Sequence, residues 1–247
     1  MPAKSQLKYI QSLGYKKQRD TDGVFLAEGP KIVDELLRSP HTDVLEIYAL
    51  PGWIKTHGSQ APGGIKVNEV SDAELRKISQ LATPNQVLAV VKQWHQGSLP
   101  GAGTGWWLAL DTIQDPGNMG TIIRIADWFG INGIIGNGAC ADRYNPKVVQ
   151  STMGSIARVP VWYGDLAGWL LSAQEKGARV YGALLQGQPV EKMIKPAGGI
   201  LVIGNESQGI GPEIAGLINV KVTIPGKGQA ESLNAAVATG ILLSHLC

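Results

Sequence analysis

The sequence predicts an α/β protein: a parallel-sheet domain over residues 106–247, preceded by a smaller α/β domain over residues 1–92. Three observations carry this expectation. Strand-like apolar runs alternate with helix-like runs through the second half, the order that a parallel sheet with helical crossovers requires. Several of those runs, such as WWLAL at 106–110 and ILVI at 200–203, are apolar throughout, as strands covered on both faces are. Residues 93–105 read QWHQGSLPGAGTG, rich in Gly, Ser and Pro and without periodicity, which marks a linker.

In the first domain, VFLAEG (24–29) reads as a strand, and Lys31 to Arg38 spaces Ile32, Leu36 and Leu37 along one helix face. VLEIYAL (44–50) and QVLAVVKQ (86–93) are further strands. Between them, Ser71 with Glu74 three residues later forms a capping box that opens a helix. In the second domain, WWLAL is followed by residues 118–129, where Ile122, Ile125, Ala126 and Phe129 share a stripe that Gly130 ends. INGIIG (131–136) is a strand. PKVVQSTMGS begins a helix with Pro146 at its first position. RVPVWY, RVYGALL, GILVIG and VKVTIP are strands, and DLAGWLLSAQEKG is a helix closed by Gly177. SLNAAVATGILLSHL (232–246) is a closing apolar helix with Ser232 as its candidate N-cap.

Composition narrows the function classes. Lys and Arg number 22 against 20 Asp and Glu, a net charge of +2, which is unlike a histone-like or polybasic DNA binder. A local basic patch stays open: the first twenty residues hold Lys4, Lys8, Lys16, Lys17 and Arg19 against Asp20 alone. That patch reads either as a solvated helix face or as a phosphate-contacting edge. The N-terminal stretch has no apolar core of the secretory kind, and no run reaches the ~18 apolar residues of a membrane span. Cys140 and Cys247 make no disulfide framework, and a reducing, cytoplasmic setting is expected. His41, His57, His95 and His245 are scattered, so no metal site is expected. Glycine is the outlier, at 32 of 247 residues, and 24 of them follow residue 100.

Three loops in the second half carry residues suited to chemistry. The first is Asp115-Pro116-Gly117-Asn118-Met119-Gly120 with Arg124, between a strand and a helix, where open α/β sheets bind ligands. The plain structural reading makes Asn118 a helix cap and Arg124 a surface charge. The second is Gly204-Asn205-Glu206-Ser207-Gln208-Gly209-Ile210-Gly211-Pro212, a glycine-rich turn after an apolar strand that exposes backbone groups. The third is Ile224-Pro225-Gly226-Lys227-Gly228-Gln229-Ala230-Glu231-Ser232-Leu233-Asn234, again strand, loop and helix. A competing pattern, Gly136-x-Gly138-x-x-Ala141, has the spacing of a dinucleotide fingerprint. The helix that must start inside it is interrupted by Asp142 to Pro146, and no acidic residue follows at the required distance. No G-x-S-x-G nucleophile elbow occurs.

In order, N-x-G-x-x-x-R, G-N-E-x-x-G and I-P-x-x-G-x-x-x-S-L-N resemble the motifs of the SpoU (TrmH-type) RNA ribose 2′-O-methyltransferases of the SPOUT class. Tyr144 to Val149 and Ser151 to Gly154 are similar to that family's segment between the first two motifs. The resemblance is strong over 106–247. More loosely, 5–92 resembles the small ribosomal-protein-like domain found ahead of it, through Lys16, Lys17, Arg19 and Glu28-Gly29-Pro30-Lys31. One departure is Gly226, where the family usually carries Met.

The resemblance implies a catalytic domain closed by a C-terminal trefoil knot, preceded by a small α/β RNA-binding domain. It implies a homodimer with the active site at the interface and S-adenosylmethionine as cofactor, held near Leu184, Gly204, Asn205, Gly209, Ile224, Gly228, Ser232 and Leu233. The catalytic set it implies is Asn118, Arg124, Glu206, Ser232 and Asn234. Arg124 acts there on the ribose and its phosphate, either as a base or by stabilising the forming alkoxide; Asn118, Ser232 and Asn234 orient it; Glu206 holds an adjacent loop or arginine. Lys16, Lys17, Arg19 and Lys31 are the implied RNA contacts. The substrate implied is a structured RNA, with rRNA ahead of tRNA. A non-catalytic RNA-binding assembly factor and methylation of a base or a protein are the alternatives. Among the tryptophans, Trp106, Trp107 and Trp128 are expected in the core, and Trp53 and Trp94, near loops, are the better candidates for stacking on bases.

Overall fold

A computed structural model describes residues 2–58, 64–94 and 97–247. His95 and Gln96, inside the expected linker, lie outside the described residues. The chain forms two compact units, Met1–His95 with Arg143–Arg158, and Gln96–Asp142 with Val159–Cys247.

In the first unit, helices α1 (Lys4–Ser12) and α2 (Lys16–Asp22) precede strand β1 (Val24–Glu28) and helix α3 (Pro30–Arg38). Strand β2 (Val44–Ala49), helix α4 (Pro51–His57), strand β3 (Lys66–Glu69), helix α5 (Asp72–Ile78) and strand β4 (Val87–Lys92) follow. The sheet order is β1-β4-β2-β3, with β4 antiparallel to both neighbours and β2 parallel to β3. The expected capping box is present: Ser71 Oγ accepts from the Glu74 amide, and the Glu74 carboxylate accepts from the Ser71 amide. Helices α1 and α2 lie in the basic stretch that reads as a helix face or a phosphate-contacting edge; α4 and β3, short and weakly periodic, have no counterpart in the sequence reading.

Residues Arg143–Arg158, inside the sequence span of the second domain, pack in the first unit. Helix α7 (Pro146–Thr152) and a 3-10 turn at Ser155–Ala157 bring Val149, Ile156 and Ala157 into one core with Ile32, Val33 and Leu36. Tyr144 stacks on Phe25 at 4.8 Å between ring centres, and its hydroxyl accepts the Trp94 backbone N–H at 2.8 Å. Arg158 pairs with Glu35 at 2.6 Å.

Glu28, at the end of β1, is buried, and its carboxylate accepts from Ser79 Oγ and from the Gln80 amide (2.8 Å). Burial raises its pKa above the ordinary carboxylate value, and the two hydrogen bonds offset this only in part. The folded protein therefore holds a proton on Glu28 at a pH where the unfolded chain has released it. Stability then falls as pH rises from the ordinary glutamate value to the raised one. Glu28→Gln carries no such proton, so its melting temperature relative to the native chain is expected to climb between pH 4 and pH 8. Thermal melts across that range check this, and a constant difference would refute it.

The second unit is built on six parallel strands in the order β10-β8-β9-β5-β6-β7. They are β5 (Trp106–Leu110), β6 (Ile134–Gly136), β7 (Val161–Tyr163), β8 (Val180–Pro189), β9 (Gly199–Ile203) and β10 (Val220–Thr223). Helices α6 (Pro116–Trp128), α8 (Leu166–Glu175), α9 (Pro212–Ala215) and α10 (Ala235–Leu246) connect or follow them. One sheet face, with Trp107, Ala109, Ile200 and Val202, shares a core with Trp169, Leu170 and Ala173 of α8 and Ile214 of α9. The alternate residues Leu108, Leu110, Leu201 and Ile203 are buried too, so both faces are covered, as the uninterrupted apolar runs require. Helices α6 and α10 pack against each other.

Candidate active site

The three loops identified in the sequence sit at the carboxyl ends of β5, β9 and β10, the end where parallel sheets bind ligands. After β5, Asp115 caps α6: its carboxylate accepts the Asn118 amide at 2.8 Å. Asn118 is thus not the cap, and its side chain is released for other work.

That side chain joins the loops. Asn118 Nδ2 donates to Glu206 Oε1 of the second loop, and Asn118 Oδ1 accepts from Asn234 Nδ2 of the third at 2.8 Å. One amide, using a donor and an acceptor, links residues 88 and 116 positions away. Asn234 is itself held, since its Oδ1 accepts the Ala236 and Val237 amides at 3.0 and 3.2 Å. Asn234, not Ser232, is therefore the N-cap of α10; Ser232 and Leu233 lie before the helix and are exposed.

The second loop is tight. Asn205 and Gly209 exchange backbone hydrogen bonds, both 2.9 Å, and Asn205 Oδ1 accepts the amides of Ser207 and Gln208. Asn205 Nδ2 reaches back to the Thr112 carbonyl at 3.0 Å. Gly209 has φ +70°. Beneath, the buried carboxylate of Asp111 accepts the Gly211 amide and Asn137 Nδ2, each at 2.7 Å, which ties the loop to the end of β5. Nothing local in the sequence singles out Asp111, which follows an apolar strand as an ordinary loop residue would. Asn137 lies in the glycine pattern that suggested a dinucleotide fold; no helix starts there before Pro146, so that fingerprint is not formed.

Arg124 is exposed on α6, on the face of Thr121 and Trp128. It makes no hydrogen bond or ion pair to Asn118, Glu206, Ser232 or Asn234. The structure thus joins Asn118, Glu206 and Asn234 and leaves Arg124 and Ser232 outside that bonded set. Ile224 and Leu184 are partly buried, and Leu184 packs beside the α8 core. A Cβ at Gly226 or Gly228 would have open space around it.

Several expectations need correction. Arg19 is 2% exposed, and its guanidinium donates to the carbonyls of Leu13 (3.1 Å) and Gly14 (2.8 Å); it faces the protein rather than RNA. Of the two tryptophans offered as candidates for base stacking, Trp53 is buried at 1% exposure, and Trp94 is partly buried against Phe25 and Tyr144. Trp128, expected in the core, is 84% exposed, while Trp106 and Trp107 are buried as expected. Lys16, Lys17 and Lys31 are exposed. Among the described residues no cluster could hold a metal ion, and no helix is long and apolar enough to cross a membrane.

Asn118→Ala is expected to separate the three loops while leaving the cap of α6 intact, because Asp115 supplies that cap. Turnover should fall by about a hundredfold, the scale on which misplaced catalytic groups act. The melting temperature should fall by no more than a few degrees. Single-turnover kinetics with thermal melts check this; unchanged turnover would show that the link has no catalytic use.

Fold and loops together define a parallel α/β unit with three hydrogen-bonded loops gathered at the carboxyl end of its sheet. Comparison with known proteins assigns it more closely. The model of the SpoU rRNA methylase family matches residues 106–244, and that of the MRM3-like substrate binding domain matches residues 4–89. The chain belongs to the SpoU rRNA methylase family. It is 34% identical over 251 residues to the 23S rRNA (guanosine(2553)-2′-O)-methyltransferase RlmP of Bacillus subtilis, covering 99% of this chain and 97% of the relative. Among solved structures, a TrmH-family protein of Porphyromonas gingivalis aligns with TM-score 0.88 at 36% identity, over 100% of this chain and 98% of that one. An rRNA methyltransferase of Sinorhizobium meliloti, solved with bound AdoMet, aligns with TM-score 0.86 at 29% identity, over 100% and 96%.

Proposed function

We propose that the protein transfers a methyl group from S-adenosylmethionine to a ribose 2′-hydroxyl of ribosomal RNA. The observation that carries this is the Glu206–Asn118–Asn234 link, which ties three loops into one site at the ligand end of the sheet. The residues present fit the cofactor. The Gly204–Gly209 turn and the open positions Gly226 and Gly228 offer backbone groups without obstructing side chains, and Leu233 offers exposed apolar surface at 46%. Leu184, Gly204, Asn205, Gly209, Ile224, Gly228, Ser232 and Leu233 would hold it.

When bound, the cofactor supplies a methyl group on a sulfonium, already a good leaving group. The harder task is the nucleophile: the C–O bond would form as the methyl–sulfur bond breaks and a neutral thioether leaves, and the hydroxyl proton would pass to solvent water. The Arg124 guanidinium stabilises the oxygen as negative charge develops. Asn118 and Asn234 orient the reacting ribose, Glu206 fixes Asn118, and Ser232 stands on the same loop to complete the ribose contacts.

Residues 106–247 are assigned to catalysis, with the C-terminal loops closing a trefoil knot, a rare exception to unthreaded chains. Residues 1–92 are assigned to RNA recognition, with Lys16, Lys17 and Lys31 contacting phosphates. A homodimer is proposed through the exposed face of α6 and α10. Trp128, at 84% exposure, and Val237, at 51%, support this, being large apolar side chains on two helices that pack together. Arg124 lies on the same stripe as Trp128, so this pairing would place it at the interface.

The test is incubation of the protein and labelled S-adenosylmethionine with rRNA from cells lacking the gene, followed by nuclease digestion and mass spectrometry. A 2′-O-methylated nucleotide is expected. A base-methylated product, or none with intact cofactor binding, would overturn the reading.

A further inference from the structure

The turn between α1 and α2 presents Tyr15 in a way that packing does not explain. Tyr15 occupies the N-cap of α2, where Ser, Thr, Asp or Asn is preferred, and makes no capping hydrogen bond. Its ring buys no burial in exchange, being 75% exposed. Tyr15 thus gives the fold neither a cap nor burial, and its ring is left facing solvent.

The turn under Tyr15 is held firmly. The Tyr15 amide donates to the Ser12 carbonyl at 3.0 Å, and its carbonyl accepts from the Arg19 amide at 3.2 Å. The Arg19 guanidinium, buried, holds the two preceding carbonyls, Leu13 and Gly14. On the other side Gly14 lies so near the Gln80 side chain that a Cβ would come within 2.3 Å of it. The Gln80 backbone N–H in turn donates to the buried Glu28 carboxylate. A buried guanidinium and a buried carboxyl group thus stand behind one exposed aromatic ring. Burying charge is costly unless every bond is made, so the arrangement is an expensive way to build an ordinary turn. Lys16 and Lys17 follow at once in sequence, both exposed, with Lys16 paired to Asp20 at 2.6 Å. An exposed ring next to cations is the pairing that holds single-stranded RNA: the ring stacks on a base, the charges meet the backbone.

We infer that Tyr15 stacks on an unpaired base of the RNA substrate, and that Arg19 is the positioning residue that presents it. The inference rests on the rRNA reading above and adds to it the residue that recognises an unpaired base. Arg19 remains off the RNA itself.

The experiment uses the full chain and two probes, a short oligouridylate and an abasic oligoribonucleotide of equal length, with binding read by fluorescence anisotropy. Tyr15→Ala is expected to weaken oligouridylate binding about tenfold and leave the abasic probe unchanged, and Tyr15→Phe to restore binding. With rRNA, Tyr15→Ala should raise KM and spare both kcat and S-adenosylmethionine affinity. Arg19→Met should also raise KM, and the double variant should be no worse than Tyr15→Ala alone, since both act through one ring. Because Tyr15 is exposed, its replacement does not threaten folding. Equal loss on both probes would place the contact on the backbone and overturn the stacking role; unchanged KM and binding would overturn the inference outright. Failure of the native protein to methylate rRNA, with Tyr15-dependent oligouridylate binding intact, would defeat the rRNA reading alone.

Discussion

Arg124→Ala is expected to lower kcat for ribose methylation by about a thousandfold while leaving S-adenosylmethionine affinity and the melting temperature near those of the native chain. The separation follows from where Arg124 stands. It lies on the exposed face of α6 and makes no bond to the Glu206–Asn118–Asn234 link, so its removal opens no cavity and orphans no buried partner. Its whole value lies with the bound RNA, where a fixed cation faces an oxygen that becomes negative only as it attacks. Loss of one such preorganised donor costs about 10²–10³ in rate, and here a full charge is lost with it. Arg124→Lys should recover only part of the loss, because a point charge cannot replace a planar fork that meets ribose and phosphate together. Single-turnover methyl transfer at saturating cofactor measures both variants. Near-native turnover by Arg124→Ala would remove it from the reaction.

The strands of the second unit and the three loops were legible because their causes are local. Uninterrupted apolar runs mark buried parallel strands, and the residues after them mark loops wherever glycine and asparagine gather. The pairing within the site was not legible. The sequence reading set Asn118 and Asn234 to orient Arg124 and gave Glu206 a loop or an arginine; in the fold Asn118 takes both Glu206 and Asn234. No local signal encodes a bond across 88 or 116 residues. The capping choice hides in the same way: Asp115 and Ser232 both suit an N-cap by type, and only Asp115 serves as one. Arg19 shows the limit of reading charge as exposure, since a guanidinium with two carbonyls to hold can be buried. Trp128 is different, because a signal was available. It falls four residues after Arg124, on the helix face of Thr121, which the spacing alone sets toward solvent.

Gly204→Ala is the substitution expected to disable cofactor binding. The added Cβ would lie 2.3 Å from the Gly209 carbonyl carbon and 2.5 Å from the Ile210 nitrogen. Both obstacles are backbone, so no side-chain rotation relieves them and the loop must open. Opening breaks the paired Asn205–Gly209 hydrogen bonds and strains the Asn205 bond to Thr112 that anchors the loop to β5. Overpacking costs about 1–3 kcal/mol, and each lost hydrogen bond about 1 kcal/mol more. For a chain of this size the melting temperature should drop by roughly 5–15 °C. The stabilisation that saturating S-adenosylmethionine gives the native chain should vanish, because a ligand protects only the state it binds. Gly226→Ala is the control. Its Cβ would meet nothing within 4 Å, so the melting temperature without ligand should stay within about a degree of native. If Gly204→Ala melted and bound cofactor like the native chain, the close approach of these two strands of backbone would not be what shapes the site. The concentration of glycine after residue 100 would then need another cause than close backbone approach.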